Sequence, residues 1–194
     1  MKNRKLNRLP GFDYSNPGAY FVTLCIHRRF ENATMFGEVI NNEMVLNEKG
    51  KISSRFWSEI PEHYPNVELG EWVIMPDHIH GIIVLLPTVG TEPAIPVGTE
   101  PIIPVGTEHC SVPTGMGSGT ANSKNYGQLS KIIKSFKNIV TSNIRKLGDD
   151  EFMWQRSFHD RIIRNQDEWA KISWYIRNNP TQFNTDRMSR EIAC

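Results

Sequence analysis

Two apolar runs separated by a short polar break constrain this chain more than any other feature. Trp72, Val73, Ile74 and Met75 are followed by the hexapeptide PDHIHG at 76–81 and then by IIVLL at 82–86. Continuous apolar runs of this length read as strands at central positions of a sheet. A proline has no N–H to give to a strand ladder, so the segment 67–86 is expected to be interrupted or bent at Pro76. Residues two apart in an extended strand share a face. His78 and His80 therefore present both imidazoles to one side, with Ile79 turned to the core.

The rest of the pattern alternates strand and helix signals. Residues 20–27 (YFVTLCIH) are rich in β-branched and aromatic side chains and predict a strand. Residues 38–46 predict a hairpin, with Asn41 and Asn42 able to take the positive φ of a tight turn. Ile52, Phe56, Trp57 and Ile60 recur at helical spacing, which predicts one amphipathic helix over 48–63, closed near Pro61 or Pro65. The strongest helix signal is 128–147, where Leu129, Ile132, Ile133, Phe136, Val140, Ile144 and Leu147 recur at three and four. A short strand is expected over 158–164. Asn165 can then cap a helix running from Gln166 to about Asn178, with Trp169, Ile172 and Ile176 as its apolar side. Pro180 is expected just past the end of that helix, and a polar tail after 183.

One stretch breaks the pattern. VGTEPAIP at 89–96 recurs as VGTEPIIP at 97–104, and VGTE returns at 105–108. Gly, Pro, Thr and Ser dominate 87–123 and no amphipathic face appears, so it reads as a low-complexity surface insertion without chemistry. With 194 residues in all, a single domain over 1–194 carrying this insertion is the expectation.

Composition narrows the partners. The net charge is only +1, but the cations are clustered. Lys2, Arg4, Lys5 and Arg8 stand within 1–9 with no acid, and Lys124, Lys131, Lys134, Lys137, Arg145 and Lys146 stand within 124–146 with none. Such clusters are either a footprint for phosphates or a solvated helix face. No apolar run is long enough to span a bilayer, so no membrane partner is expected. The N-terminus lacks the apolar segment of a signal peptide. Cys25, Cys110 and Cys194 are widely spaced with no CxxC, the usage of a reducing, cytoplasmic compartment.

The candidate chemistry centres on His78, His80, Tyr175 and Asn179. Two imidazoles suit Mn, Fe, Ni or Zn, and Mg when oxygens complete the shell; two alone leave it incomplete. Strand histidines that merely satisfy local hydrogen bonds are the alternative. Asp77 either orients an imidazole or caps a turn. Tyr175 and Asn179 are four apart on the last helix and so share a face. An amide oxygen can bind a hard metal, and a phenol needs a cation or base beside it to attack. The alternative makes Tyr175 a half-buried helix residue and Asn179 a C-cap before Pro180. Tyr14, Tyr20, Tyr64 and Tyr126 are rival nucleophiles, Tyr126 foremost, with Tyr20 in an apolar strand and read as core. Lys131, Lys134 and Lys137 form one candidate phosphate-binding group, and Arg156, His159, Arg161 and Arg164 a second. His159 and Arg161 should share a face opposite Asp160. Trp154 and Phe158 offer rings to unpaired bases, although burial in the core is the commoner fate of Trp. His27, His63 and His109 read as surface residues.

Four segments in order, VIMPDHIHGIIV, LSKIIKSFKN, WQRSFHDRIIRN and WYIRNNP, resemble the HUH-type tyrosine transposases, in particular the branch of REP-associated tyrosine transposases. The resemblance implies an α+β, ferredoxin-like domain with a central antiparallel sheet. It implies His78 and His80 as the metal pair, Asn179 as third ligand, Tyr175 as nucleophile and Mg²⁺ or Mn²⁺ as cofactor. The implied reaction is cleavage of single-stranded or hairpin DNA through a 5′-phosphotyrosine, by a monomer or a homodimer. Two other readings stand beside it: a catalytically silent nucleic-acid-binding protein of the same fold, and a hydrolase using water, for which no carboxylate pair accompanies the histidines.

Overall fold

The computed structural model describes residues 13–27, 35–87 and 127–192, with side chains as far as Phe183. The basic cluster at 1–9, the repeats at 88–123, Lys124, Tyr126, His109, Cys110 and Cys194 lie outside the described residues.

The chain runs β1 (Gly18–Cys25), β2 (Gly37–Ile40), β3 (Glu43–Leu46), α1 (Glu48–Ser58), α2 (Ile60–His63), β4 (Val67–Ile74), β5 (His78–Leu85), α3 (Gln128–Lys146), β6 (His159–Ile163) and α4 (Gln166–Ile192). Four strands form one antiparallel sheet in the order β4-β5-β1-β6, and β2-β3 pair separately. Setting that small hairpin aside, this is the ferredoxin-like arrangement, an α+β fold. The hairpin turns at Asn41 and Asn42, both with positive φ (51° and 65°), as the pair of asparagines requires.

Three expectations change. The apolar segment is interrupted at Pro76, one of its two expected forms, into β4 and β5, reversed at Pro76 and Asp77, but β4 is an edge strand of the sheet rather than a central one. The proline has no ladder donor to contribute, and the Met75 N–H closes the reversal onto the His78 carbonyl at 2.8 Å. The region 48–63 is two helices rather than one. Pro61 opens the second at its first turn, where a missing N–H is harmless. Pro180 lies inside α4, not beyond its end, so the segment read as a polar tail continues the helix. The cap at its start is as expected, with the Glu168 N–H donating to the Asn165 side chain at 2.8 Å.

Strand alternation gives the sheet two faces. Tyr20, Val22 and Leu24 of β1 point to one, where α1 and α3 supply Trp57, Ile132, Phe136, Val140 and Ile144 to the main core. Ala19 and Phe21 point to the other, where Ile82, Ile163, Ile172 and Ile176 hold α4 against the sheet. Trp154 is buried in the main core, the commoner of its two expected fates. Gly81 lies on the main-core face. A Cβ there would lie 2.3 Å from the Trp57 ring, so the indole rests directly on the strand backbone. Gly81→Ala must push that ring into Phe136, with which it packs edge-on at 5.2 Å. A loss of about 1–3 kcal/mol in urea denaturation is expected; an unchanged midpoint would show the ring is free to move.

Lys137 ties α3 to the segment before β6. Its Nζ donates to the Gln155 and Ser157 carbonyls, both at 3.0 Å, and lies 5.8 Å from the Trp154 ring centroid. Burial lowers its pKa from the usual 10.5 to about 8. Between those two values the unfolded chain holds a proton that the folded chain has released, so this group adds stability as pH rises through the window. The stability of the wild type relative to Lys137→Met should therefore increase by about 2 kcal/mol from pH 7.5 to 9.5 in matched urea titrations. A flat or falling difference refutes the assignment.

Candidate active site

The register of β5 on β1 sets Thr23 opposite His80 and Cys25 opposite His78. Facing residues of an antiparallel pair emerge on the same side, so both histidines leave the sheet on the α4 face, while Ile79 is fully buried on the other. The two imidazole centroids are 4.5 Å apart.

Each imidazole has an oxygen partner on Nδ1. Asp77 Oδ1 lies 2.6 Å from His78 Nδ1. An ionised carboxylate only accepts, so this nitrogen carries a proton. Asp77 therefore orients an imidazole, one of its two expected roles. Thr23 Oγ1 lies 2.9 Å from His80 Nδ1. His80 is only 6% exposed, and burial foremost, then the neighbouring His78, lowers its pKa to about 3, against a smaller opposing effect of Asp77. At neutral pH the ring is uncharged. The tautomer that donates from Nδ1 to Thr23 leaves Nε2 able to accept.

That nitrogen is met by Tyr175 of α4, whose Oη lies 3.3 Å away. Phe21 stands edge-on to the phenol at 6.2 Å and tilted to the His80 ring at 5.3 Å. The phenol is 38% exposed and so remains open to a large substrate, while Asn179, one turn further along α4, is buried. Because the helix continues through Pro180, Asn179 is not a C-cap. The rival tyrosines fare differently: Tyr14 and Tyr20 are buried in the core, and the Tyr20 hydroxyl donates to the Asn16 carbonyl at 2.8 Å.

These imidazoles fit a divalent cation by their donor chemistry: two rings side by side, each with Nδ1 held by an oxygen, the arrangement found behind metal-binding histidines. Among the described residues no group of three or more His, Cys, Asp or Glu side chains forms a metal site, so any further donor must be of another kind, such as the amide of Asn179.

The cations divide between the layers. β6 pairs His159 with Thr23 and Arg161 with Phe21, which sets both on the α4 face, opposite Asp160 as expected. Arg161 pairs with Glu168 at 3.0 Å, and the Arg164 N–H donates to the same carboxylate. Arg156 and Arg164 are exposed. Lys131 and Lys134 are exposed too, but on α3, in the layer across the sheet from Tyr175. Lys137 has its ammonium engaged by two carbonyls. Thr23 and Phe21 were missed by sequence reasoning. Their signal was strand alternation, which sets them opposite the apolar Tyr20, Val22 and Leu24, but the pairing partner is not written in the sequence. Trp174, 56% exposed beside Tyr175, was also passed over.

No family profile matches the chain. An uncharacterised protein of Haemophilus influenzae is 31% identical over 189 residues, spanning 97% of this chain and 94% of that protein. Among solved structures, the REP-associated tyrosine transposase bound to a REP hairpin superposes with a TM-score of 0.54 at 16% identity, covering 94% of this chain and 74% of that one. A candidate transposase from Deinococcus radiodurans aligns with a TM-score of 0.40 at 13% identity, covering 88% and 97%. The chain belongs to one family with the Haemophilus influenzae protein, and its fold is that of the REP-associated tyrosine transposase.

Proposed function

We propose that the protein is a transposase-type enzyme that cuts single-stranded DNA at hairpins with Tyr175 as nucleophile, in a reaction dependent on Mg²⁺ or Mn²⁺ held by His78, His80 and Asn179. The observation that carries this reading is the approach of Tyr175 Oη to within 3.3 Å of Nε2 of a buried, neutral His80 whose neighbour is a second oriented imidazole. In a hydrolase using water, a phenol at that position would serve as a hydrogen-bond donor rather than as the attacking group. The neighbour solved with a REP hairpin supports DNA as the substrate class.

In the proposed step the phenol of Tyr175 gives up its proton and its oxygen bonds to phosphorus. The bond from phosphorus to the 3′ oxygen breaks, and that oxygen leaves with the electron pair and takes up a proton. The products are a 5′-phosphotyrosine and a free 3′-hydroxyl, and attack by that hydroxyl reverses the reaction and joins strands. A bound cation would polarise the scissile phosphate. The chain's own groups do the positioning. Phe21 and the packing of Ile172 and Ile176 fix the phenol, Asp77 and Thr23 hold the rings, and Trp174 offers an exposed indole to a base beside the tyrosine. Partial exposure of Tyr175 lets a polymer reach it, which a closed small-molecule pocket would not.

A hairpin oligonucleotide from DNA flanking the gene, labelled at its 3′ end and incubated with Mn²⁺ or Mg²⁺, should leave label on the protein in a denaturing gel. EDTA should abolish it, and Tyr175→Phe should lower it by about a thousandfold or more. Cleaved DNA without an adduct would point to a water nucleophile, and tight binding without cleavage to a silent binding protein.

Removing the hydroxyl that orients His80 should weaken Mn²⁺ binding. Thr23→Val is expected to raise the Kd by about 10–100-fold in calorimetric titration without DNA, with little change in fold. Equal affinity would show that Thr23 does not position the ring.

A further inference from the structure

One corner of the sheet beside Tyr175 lies outside the packing of α4. Ile172 and Ile176 share a cluster with Ile82 and Ile163, joined at its margin by Val73, Val84 and Phe21, but Thr23, Cys25 and His159 do not belong to it. Thr23 and Cys25 are half-buried and His159 is exposed. The register aligns His80, Thr23 and His159 in one row across β5, β1 and β6, and facing residues emerge on the same side. Neighbouring strands stand about 4.8 Å apart, so His159 is roughly 10 Å from His80 between Cα atoms. Only Thr23 comes between them, and its hydroxyl is turned to His80 Nδ1 at 2.9 Å. Among the described residues the His159 ring has no hydrogen-bond or ion-pair partner, so the fold makes no use of its two nitrogens.

The proposed cleavage leaves one proton without a donor. The 3′ oxygen departs with an electron pair and must gain a proton. In-line displacement sets that oxygen on the side of phosphorus opposite the attacking one. Near the tyrosine α4 lies over β4 and β5, with Arg177 beside Glu71. A phosphate reached by the phenol therefore has open sheet in one direction, along the row toward β6. Other groups of this face do not suit the task. The Glu168 carboxylate is held below its usual range by the Arg164 N–H foremost and by Arg161, so it is ionised at neutral pH. Arg161 and Lys171 are cations of a kind that part with a proton only at high pH. Cys25 stands opposite His78, one pair further along β1, and Asp160 emerges on the other face. Histidine is the side chain that both gives and takes a proton near neutral pH, and joining strands needs the same group to act in reverse.

We propose that His159 is the general acid that protonates the leaving 3′ oxygen, and the base that takes this proton back when strands are joined. As the Tyr175 oxygen bonds to phosphorus, the bond from phosphorus to the 3′ oxygen breaks. The imidazolium of His159 gives its proton to that oxygen and becomes neutral, while the phenolic proton passes to solvent. The inference rests on the reading of Tyr175 as nucleophile and adds to it a catalytic residue on β6.

The test compares single-turnover adduct formation by the full chain on two hairpin oligonucleotides in Mn²⁺. One carries the natural linkage at the cut, the other sulfur in place of the 3′ oxygen. A thiol, of pKa about 8.5, leaves as the thiolate and needs no acid. His159→Gln should slow the oxygen substrate by about a hundredfold or more, the usual contribution of a general acid, and leave the sulfur substrate near the wild-type rate. His159 is exposed at the sheet edge, and an unchanged thermal melt will show that the variant is folded. Equal slowing of both substrates would make His159 a strand-positioning residue and overturn the proposal, as would no slowing of the oxygen substrate. Either result leaves Tyr175 standing as nucleophile, whereas a wild type that forms no adduct on either oligonucleotide overturns both.

Discussion

The pairing of β5 with β1 is the constraint on which the rest depends. With Thr23 opposite His80, both histidines emerge on the α4 face and Ile79 enters the core. A slip of one residue would reverse every side chain of β5, driving His80 into the apolar face and Ile79 out of it. Core packing enforces the register from the other side of the sheet. Trp57 lies so close to position 81 that only a glycine fits beneath it, and the residues flanking Gly81 are His80 and Ile82, neither of which could take its place. The turn adds two further ties: the Phe36 N–H donates to the Pro76 carbonyl and the Ile26 N–H to that of Asp77, both at 3.0 Å. The histidine pair thus stands on a hairpin whose turn, ladder and underside are all fixed.

The tyrosine arrives on a separate element, so the site exists only where α4 is docked. Ile172 and Ile176 anchor one stripe of the helix against Ile82 and Ile163, and Tyr175 lies beside that stripe, at the boundary between core and solvent. The first turn is held more firmly, by the Asn165 cap, the Glu168 contacts with Arg161 and Arg164, and the seat of Trp169 on Gly70. Beyond the tyrosine the helix is weaker. Pro180 has no N–H for the carbonyl of Ile176, which loosens the backbone in the turn that carries Asn179. On the proposed reading, a tyrosine rigidly placed from its N-terminal side, followed by a more adjustable Asn179, suits a site that must admit a polymer and then close its contacts around a phosphate.

Much of this architecture was legible from local pattern. The helix of 128–147 was readable because seven apolar residues recur at helical spacing, and the hairpin because Asn41 and Asn42 tolerate positive φ. The side shared by His78 and His80 followed from the two-residue period of a strand. Prolines were harder to read, because their effect depends on context: Pro76 reverses the chain, Pro61 opens a helix, and Pro180 is carried within one. Thr23 and Phe21 were not legible as site residues, since their role depends on which strand lies beside β1. Nor could spacing along α3 reveal that Lys131 and Lys134 would lie across the sheet from Tyr175, because that depends on which face the apolar stripe of the helix covers.

This division of charge bears on how a DNA strand would approach. With a net charge of +1, the molecule as a whole exerts little pull on a polyanion, and the exposed lysines of α3 belong to the far layer. On the α4 face Arg161 is already paired with Glu168 at 3.0 Å, and Arg177 lies near Glu71 at 3.9 Å. His80 contributes no charge, because burial keeps it neutral. Among the described residues, two arginines of this face are therefore already neutralised, which lowers their pull on duplex DNA, whose affinity for proteins comes largely from phosphate neutralisation. What the face does offer is exposed or half-buried aromatic surface at Trp169, Trp174 and Tyr175, and aromatic surface is useful only to bases that are already unstacked. On the proposed reading, the preference for single-stranded substrate comes from the aromatic surface that α4 presents rather than from the charges placed among the described residues.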